Sequence, residues 1–233
     1  MIIAVIPARA GSQRLPGKNL AELDGRPLLA YSVLLAQQMK AVDRVVVVSD
    51  GAGILTAASR WGAERCLLPQ FLADGAHMLE TIQYAVEWSR ANADWVLLLQ
   101  PTSPLRRVEQ TRGWIEHTLE RAAADEVDGS LTVDRMPLKL GAVDAQGIFV
   151  PQYTPGIEKQ LMVATARENG LFYLLSGPGL RQGRLFGSRM LALNCAREQS
   201  LANIDYAWDL EFTRWAYRHF DYGREFPDSE GGG

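Results

Sequence analysis

Residues 1–20 read MIIAVIPARAGSQRLPGKNL, and the rest of the chain is organised around them. Ile2, Ile3, Ala4, Val5 and Ile6 form a short apolar run without alternation, the pattern of a strand buried on both faces. A loop containing Gly11, Pro16 and Gly17 follows, with Arg9, Arg14 and Lys18 spaced through it. The two glycines let the backbone turn and bring N–H groups close to an anion. Three cations around one such loop point to a polyphosphate. The loop contains neither GxxxxGK[ST] nor GxGxxG, so it is neither a Walker loop nor a dinucleotide fingerprint. An isolated basic cluster is more often a solvated surface loop. Here a buried strand pins the cluster to a sheet end, where α/β folds bind ligands, and this favours the anion site.

Working outward, residues 28–35 have helical spacing behind Pro27, and residues 45–48 read as a second buried strand. A helix over 54–61, a strand over 65–68, a helix over 79–90, a strand over 95–99 and a helix over 108–123 follow. Strand–helix alternation over the first half predicts an α/β fold with a mostly parallel, doubly wound sheet. Past residue 128 the pattern changes. Residues 130–133, 170–175 and 188–193 are strand-like, and 139–157 reads as hairpins or extended loop. A last helix covers 205–217, with Leu210, Phe212 and Trp215 as candidates for its buried side.

The chain has 233 residues, 47% of them hydrophobic, enough for one large domain or a domain with a small lobe. A net charge of −3 gives no overall basic field, so nucleic acid is not an expected partner. Cys66 and Cys195 form no CxxC or metal spacing, and free thiols in a reducing cytosol are the simplest reading. No apolar run reaches the ~18 residues of a membrane span. The N-terminus lacks the basic region of a signal peptide. A cytoplasmic location without membrane contact is therefore expected. The polar, glycine-rich residues 227–233 read as a disordered tail.

Four places combine a sheet-end or turn position with polar side chains. The first is the basic loop, residues 8–19. The second is QPTSPLR, residues 100–106, which otherwise reads as a strand-to-helix connection capped by Ser103. The third is RENGLFY, residues 167–173, in which Asn169-Gly170 is also an ordinary hairpin signal. The fourth is NIDYAWD, residues 203–209, where Asp205 is either a functional carboxylate or a helix N-cap.

IPARAGSQRLPGKN, LLLQPTSPLR, PLK, NGLFY and IDYAWDLE occur in that order and span nearly the whole chain. Together they resemble the cytidylyltransferases that make CMP-activated acid sugars, the CMP-sialic acid synthetases and their nonulosonate and Kdo relatives. The resemblance implies a Rossmann-like domain over residues 1–226, with residues 134–165 as a dimerisation arm and a homodimer as the assembly. It implies CTP and an acidic sugar as substrates, Mg²⁺ as cofactor and pyrophosphate as the second product. Carried over residue by residue, Arg9 and Lys18 bind the triphosphate, with Ala8, Ser12, Arg14 and Asn19 beside them. Gln100 and Ser103 line the sugar pocket next to the α-phosphate. Lys139, Lys159, Asn169 and Tyr173 complete the sugar side. Asp205 and Asn203 are the metal positions, so Arg9, Lys18 and Asp205 carry the catalysis.

The sequence departs from the family pattern at three points. Asn203 stands where the family has the first Asp of Asp-Ile-Asp, so one negative charge is lost. Leu68 stands where many members place an Arg near the nucleobase. Lys159 stands where sialate enzymes use an Arg on the sugar carboxylate, giving a point charge without a bidentate fork. These departures leave two alternatives open. One is a nucleotidyltransferase of the same fold acting on another nucleotide or on another acid or phosphonate acceptor. The other is a catalytically weak nucleotide-binding relative.

Overall fold

The computed structural model describes residues 1–73, 77–136, 139–158 and 165–227. The N-terminal apolar run is strand β1 (Ile2–Pro7). A small ribbon of β2 (Glu22–Leu23) and β3 (Arg26–Pro27) leads into helix α1 (Leu28–Gln38). Strand β4 (Val42–Ser49), α2 (Ala52–Arg60), β5 (Glu64–Leu67), α3 (Gln70–Ala73), α4 (Met78–Trp88), β6 (Trp95–Leu98) and α5 (Val108–Ala123) continue the alternation. The second half comprises β7 (Gly129–Met136), β8 (Gly141–Val143), β9 (Phe149–Pro151), β10 (Thr165–Ser176), α6 (Gly177–Arg181), β11 (Met190–Asn194), α7 (Arg197–Leu201) and α8 (Ala207–His219).

The main sheet has the strand order β11-β7-β10-β6-β1-β4-β5. β1 pairs in parallel with both β4 and β6, β4 with β5, and β11 with β7. β10 alone runs against its neighbours β6 and β7. The mostly parallel, doubly wound α/β sheet expected from the alternation is therefore present. Its cause is visible in β1, whose side chains alternate between two cores. Ile2, Ala4 and Ile6 pack with α1, α5 and α8, while Ile3 and Val5 pack with Ile82 and Ala85 of α4. Burying each large apolar side chain of this kind is worth about 1.5–3 kcal/mol, which is why the central strand carries no polar residue before its end.

Two expectations need correcting. Asn169-Gly170 is not a hairpin turn. It lies inside the continuous strand β10, where the pairing with β7 shifts register between Glu168 and Tyr173. The cross-strand neighbours β6 and β7 decide this, and a local turn signal cannot report them. Trp215 is not buried on α8. It is 53% exposed, whereas Leu210 is buried as expected, together with Ala216 and Tyr217.

β7 and β10 pair as far as Met136 and Thr165, so the chain between them leaves the sheet and returns at one point. Within that excursion β8 and β9 form a two-stranded ribbon that exposes Val143, Ile148, Phe149 and Val150. Lys159 and most of the tail expected at 227–233 lie outside the described residues.

Candidate active site

After β1 the chain moves outward to β4 and β5, then crosses back to place β6 on the other side of β1. This reversal is the topological switch point, and open α/β sheets bind ligands beyond the carboxyl ends of the strands there. Two of the four candidate stretches leave the sheet at that spot, residues 8–19 from β1 and residues 100–106 from β6. The fourth, residues 203–209, arrives from the far end of the chain. The Ile204 N–H donates to the Thr102 carbonyl at 2.8 Å, and Ile204 itself is buried in the core. Asn203 and Asp205, on either side of it, both line the two cavities of the site.

The basic loop is shaped by its own backbone. Ala8 is fully buried and its N–H donates to the Val48 carbonyl at 2.9 Å, so it anchors the loop to β4. The Ala10 N–H donates to Asp50 at 2.7 Å. Gly17 has φ +69°, the left-handed conformation that glycine adopts without strain, and the short 3₁₀ turn holding Lys18 and Asn19 starts from it. Asn19 is buried and donates to the Arg9 carbonyl at 2.8 Å, which closes the loop on itself.

Arg9, Ser12, Lys18, Asn19 and Gln100 line a cavity of 330 Å³ together with Asn203 and Asp205. Lys18 Nζ lies 3.0 Å from one Asp205 oxygen, and Arg14 lies 3.1 Å from the other. Among the described residues Arg9 has no ion-pair partner. With Arg9, Arg14 and Lys18 set against Asp205 and the loop-bound Asp50, cations outnumber carboxylates here, as a polyphosphate site requires. Asp205 is not the cap of α8. Asp209 does that work, accepting the N–H groups of Asp205 and Tyr206 at 2.8 and 2.7 Å, which leaves the Asp205 carboxylate for the cations.

A second cavity of 350 Å³ shares Asn203 and Asp205 with the first and extends to Arg167, Asn169 and Trp208. Asn169 is buried. Its oxygen accepts the Thr132 hydroxyl at 2.7 Å, and its amide donates to Asp134 at 3.2 Å. Asp134 also accepts from Arg167 at 2.8 Å. Burial alone would raise the Asp134 carboxyl, but contacts with Ser200, Arg167 and Asn169 more than reverse this and hold it below the usual range.

The structure does not bring every sequence candidate together. Tyr173 lines neither cavity. It is buried in the core on the α4 side and stacked on Phe186, and burial, with Glu168 beside it, pushes its phenol up. Lys139 is exposed in the excursion, its ammonium 5.8 Å from the Tyr153 ring centre. Ser103 does not cap α5, which begins at Val108. It is fully buried, and its hydroxyl has no hydrogen-bond partner among the described residues. Leu68 is buried against the α4 side of the sheet. Among the described residues no group of three or more His, Cys, Asp or Glu side chains is gathered to hold a metal.

Two residues of the site are not identified by the sequence reading. Gly170 has φ +78°, and a Cβ there would stand 3.0 Å from Gln100 Oε1, 3.6 Å from Ser103 Oγ and 3.8 Å from Asn203 Nδ2. The left-handed glycine therefore lets β10 press against the other two segments. Arg106 is 1% exposed and donates to the carbonyls of Leu171 and Gln100 at 2.6 and 2.9 Å and to the Ser32 hydroxyl at 3.1 Å. Burial lowers its pKa to about 9, so it stays cationic at neutral pH. The motif QPTSPLR contains Arg106, but nothing in the motif separates an arginine that points inward from one that faces a ligand.

Comparison with known proteins agrees with this geometry. Residues 3–153 match the protein family described as cytidylyltransferase. A CMP-N,N'-diacetyllegionaminic acid synthase from Legionella pneumophila is 31% identical over 90% of this chain and 94% of its own length. A 3-deoxy-manno-octulosonate cytidylyltransferase from Anaeromyxobacter dehalogenans is 28% identical over 97% of this chain and 93% of its own. Among solved structures, a CMP:2-keto-3-deoxy-manno-octonic acid synthetase complexed with CTP superposes with a TM-score of 0.70 over 94% of this chain and 99% of its own. At 18% identity that likeness shows the shared fold. Strand order, the cationic crevice at the switch point and the match over most of the chain agree: this protein belongs to the cytidylyltransferase family.

Proposed function

We propose that the protein joins CTP to an acidic sugar, releasing pyrophosphate and giving a CMP-sugar. The observation that carries this reading is the meeting of Arg9, Arg14 and Lys18 with Asp205 and Asn203 at the switch point, between two adjoining cavities. One cavity suits the triphosphate and the other the acceptor. On this reading Arg9, Arg14 and Lys18 hold the β- and γ-phosphates and stabilise the leaving pyrophosphate. Gln100 stands beside the α-phosphate. The anomeric hydroxyl oxygen of the acid attacks the α-phosphorus and a new O–P bond forms. The bond to the bridging α–β oxygen breaks, pyrophosphate takes the electron pair, and the hydroxyl proton passes to solvent.

The donor set fits a magnesium ion shared between the protein and its substrate. Asp205 offers one carboxylate and Asn203 an amide oxygen, a set that would hold the ion together with substrate phosphate oxygens and water. When bound, the ion would neutralise phosphate charge and lower the pKa of the attacking hydroxyl. Arg14 and Lys18 would exchange Asp205 for phosphate as the nucleotide enters, freeing the carboxylate.

The exposed apolar ribbon β8–β9 supports a two-fold dimer in which this excursion serves as the arm, since exposed apolar patches mark interfaces. A cytoplasmic setting is consistent with this. No helix among the described residues is long and apolar enough to cross a membrane.

The test is pyrophosphate release from each of the four NTPs with N-acetylneuraminate, N,N'-diacetyllegionaminate, pseudaminate and 3-deoxy-manno-octulosonate, with and without EDTA. The reading expects CTP-selective, acid-dependent release that EDTA abolishes. Equal use of all four NTPs would instead follow from the loss of a base contact at Leu68, which is buried.

A further inference from the structure

Arg106 is an expensive residue for its location. Its guanidinium is fully enclosed and remains protonated at neutral pH, and among the described residues no carboxylate pairs with it. Its three partners are neutral oxygens. A buried charge without a countercharge is costly, and an apolar side chain of similar volume would spare the fold that cost.

Its partners show what it brings together. The Gln100 carbonyl belongs to the segment that leaves β6 and presents the Gln100 side chain to the phosphate cavity. The Leu171 carbonyl directly follows Gly170, the point of β10 that abuts Gln100, Ser103 and Asn203. Ser32 lies on α1, the first helix after the basic loop. The segment carrying Asn203 and Asp205 is in turn tied to the 100–106 loop through Ile204 and Thr102. One rigid, planar fork thus fixes the relative position of the β6 loop, the β10 bulge and α1, a geometry that the single ammonium of a lysine cannot reproduce.

We infer that Arg106 is a positioning residue for nucleotidyl transfer: through the Gln100 and Leu171 carbonyls it fixes the Gln100 side chain and the Gly170 bulge where the two cavities meet. This rests on the proposed CTP-dependent activity. Arg106 touches neither cavity, so its loss acts on the alignment of the reacting groups and leaves the phosphate cradle of residues 9–19 in place. Misplacement by about 1 Å at a reacting centre can cost about 100-fold in rate.

The experiment compares wild type with Arg106→Lys and Arg106→Met, using CTP and the acid from the panel above that gives most turnover. Urea unfolding establishes that each variant is folded under assay conditions. Calorimetric titration gives its CTP affinity, and saturation kinetics separate kcat from KM. The expected result is a kcat about 30-fold or more below wild type for Arg106→Met, a smaller loss for Arg106→Lys, and CTP affinity within about twofold in both. A folded Arg106→Met with wild-type kcat would overturn the inference, as would Arg106→Lys equal to wild type or a loss that appears only in CTP affinity. If the wild-type protein binds no CTP, the proposed function fails and this inference fails with it.

Discussion

Asn203 and Asp205 sit on either side of buried Ile204 and are held at the rim of both cavities. Only one of the two brings a charge, and the two oxygens of that carboxylate pair with Lys18 and Arg14. If the pair serves a divalent cation, restoring the second carboxylate has a calculable effect. A carboxylate and a divalent cation about 4 Å apart attract by about 2 kcal/mol even at the dielectric constant of water, or about 30-fold in affinity. Asn203→Asp is therefore expected to lower the Mg²⁺ concentration for half-maximal activity by about 30-fold, read from a metal titration at saturating CTP. An unchanged midpoint would remove position 203 from the metal site.

The elements around the site differ in how far the sequence reveals them. β1 and β6 were legible because each is a continuous apolar run ending in polar residues, and the switch point follows from their places in the strand order. The bulge in β10 was not, because Asn169-Gly170 carries the same local signal in a turn and in a strand, and only pairing with β6 and β7 tells them apart. Gly170 accordingly gives a sharp test of the element. An L-residue in its left-handed conformation costs about 1–2 kcal/mol, and a Cβ there would crowd Gln100 Oε1 at 3.0 Å. Gly170→Ala is expected to destabilise the fold by about that amount in urea titrations and to reduce kcat/KM about tenfold or more. Full activity with unchanged stability would show that β10 does not support the site in this way. Arg106 escaped the sequence reading for a related reason. Its contacts reach Ser32 and Leu171, 74 and 65 residues away in the chain. The aromatic residues of α8 show the limit of periodicity, since helical spacing put Trp215 on the buried side and the packing leaves it in solvent.

For the whole molecule, the excursion between β7 and β10 leaves Phe149 and Val150 exposed on a two-stranded ribbon separate from the main sheet. A dimer through this arm predicts that the wild type sediments as a dimer at micromolar concentration and Phe149→Asp as a monomer. A monomeric wild type would contradict it. The proposed reaction is the transfer of a cytidylyl group from a triphosphate held by the loop that begins at the end of β1. Phosphorus NMR of the protein with CTP, Mg²⁺ and the acid sugar tests this most directly. The account predicts a new phosphodiester resonance appearing one-for-one with pyrophosphate. It also predicts that Lys18→Ala slows its appearance by about 10- to 100-fold, the effect of losing a charged hydrogen bond worth roughly 1.5–3 kcal/mol. Release of orthophosphate without a phosphodiester, or an unchanged rate in folded Lys18→Ala, would contradict it.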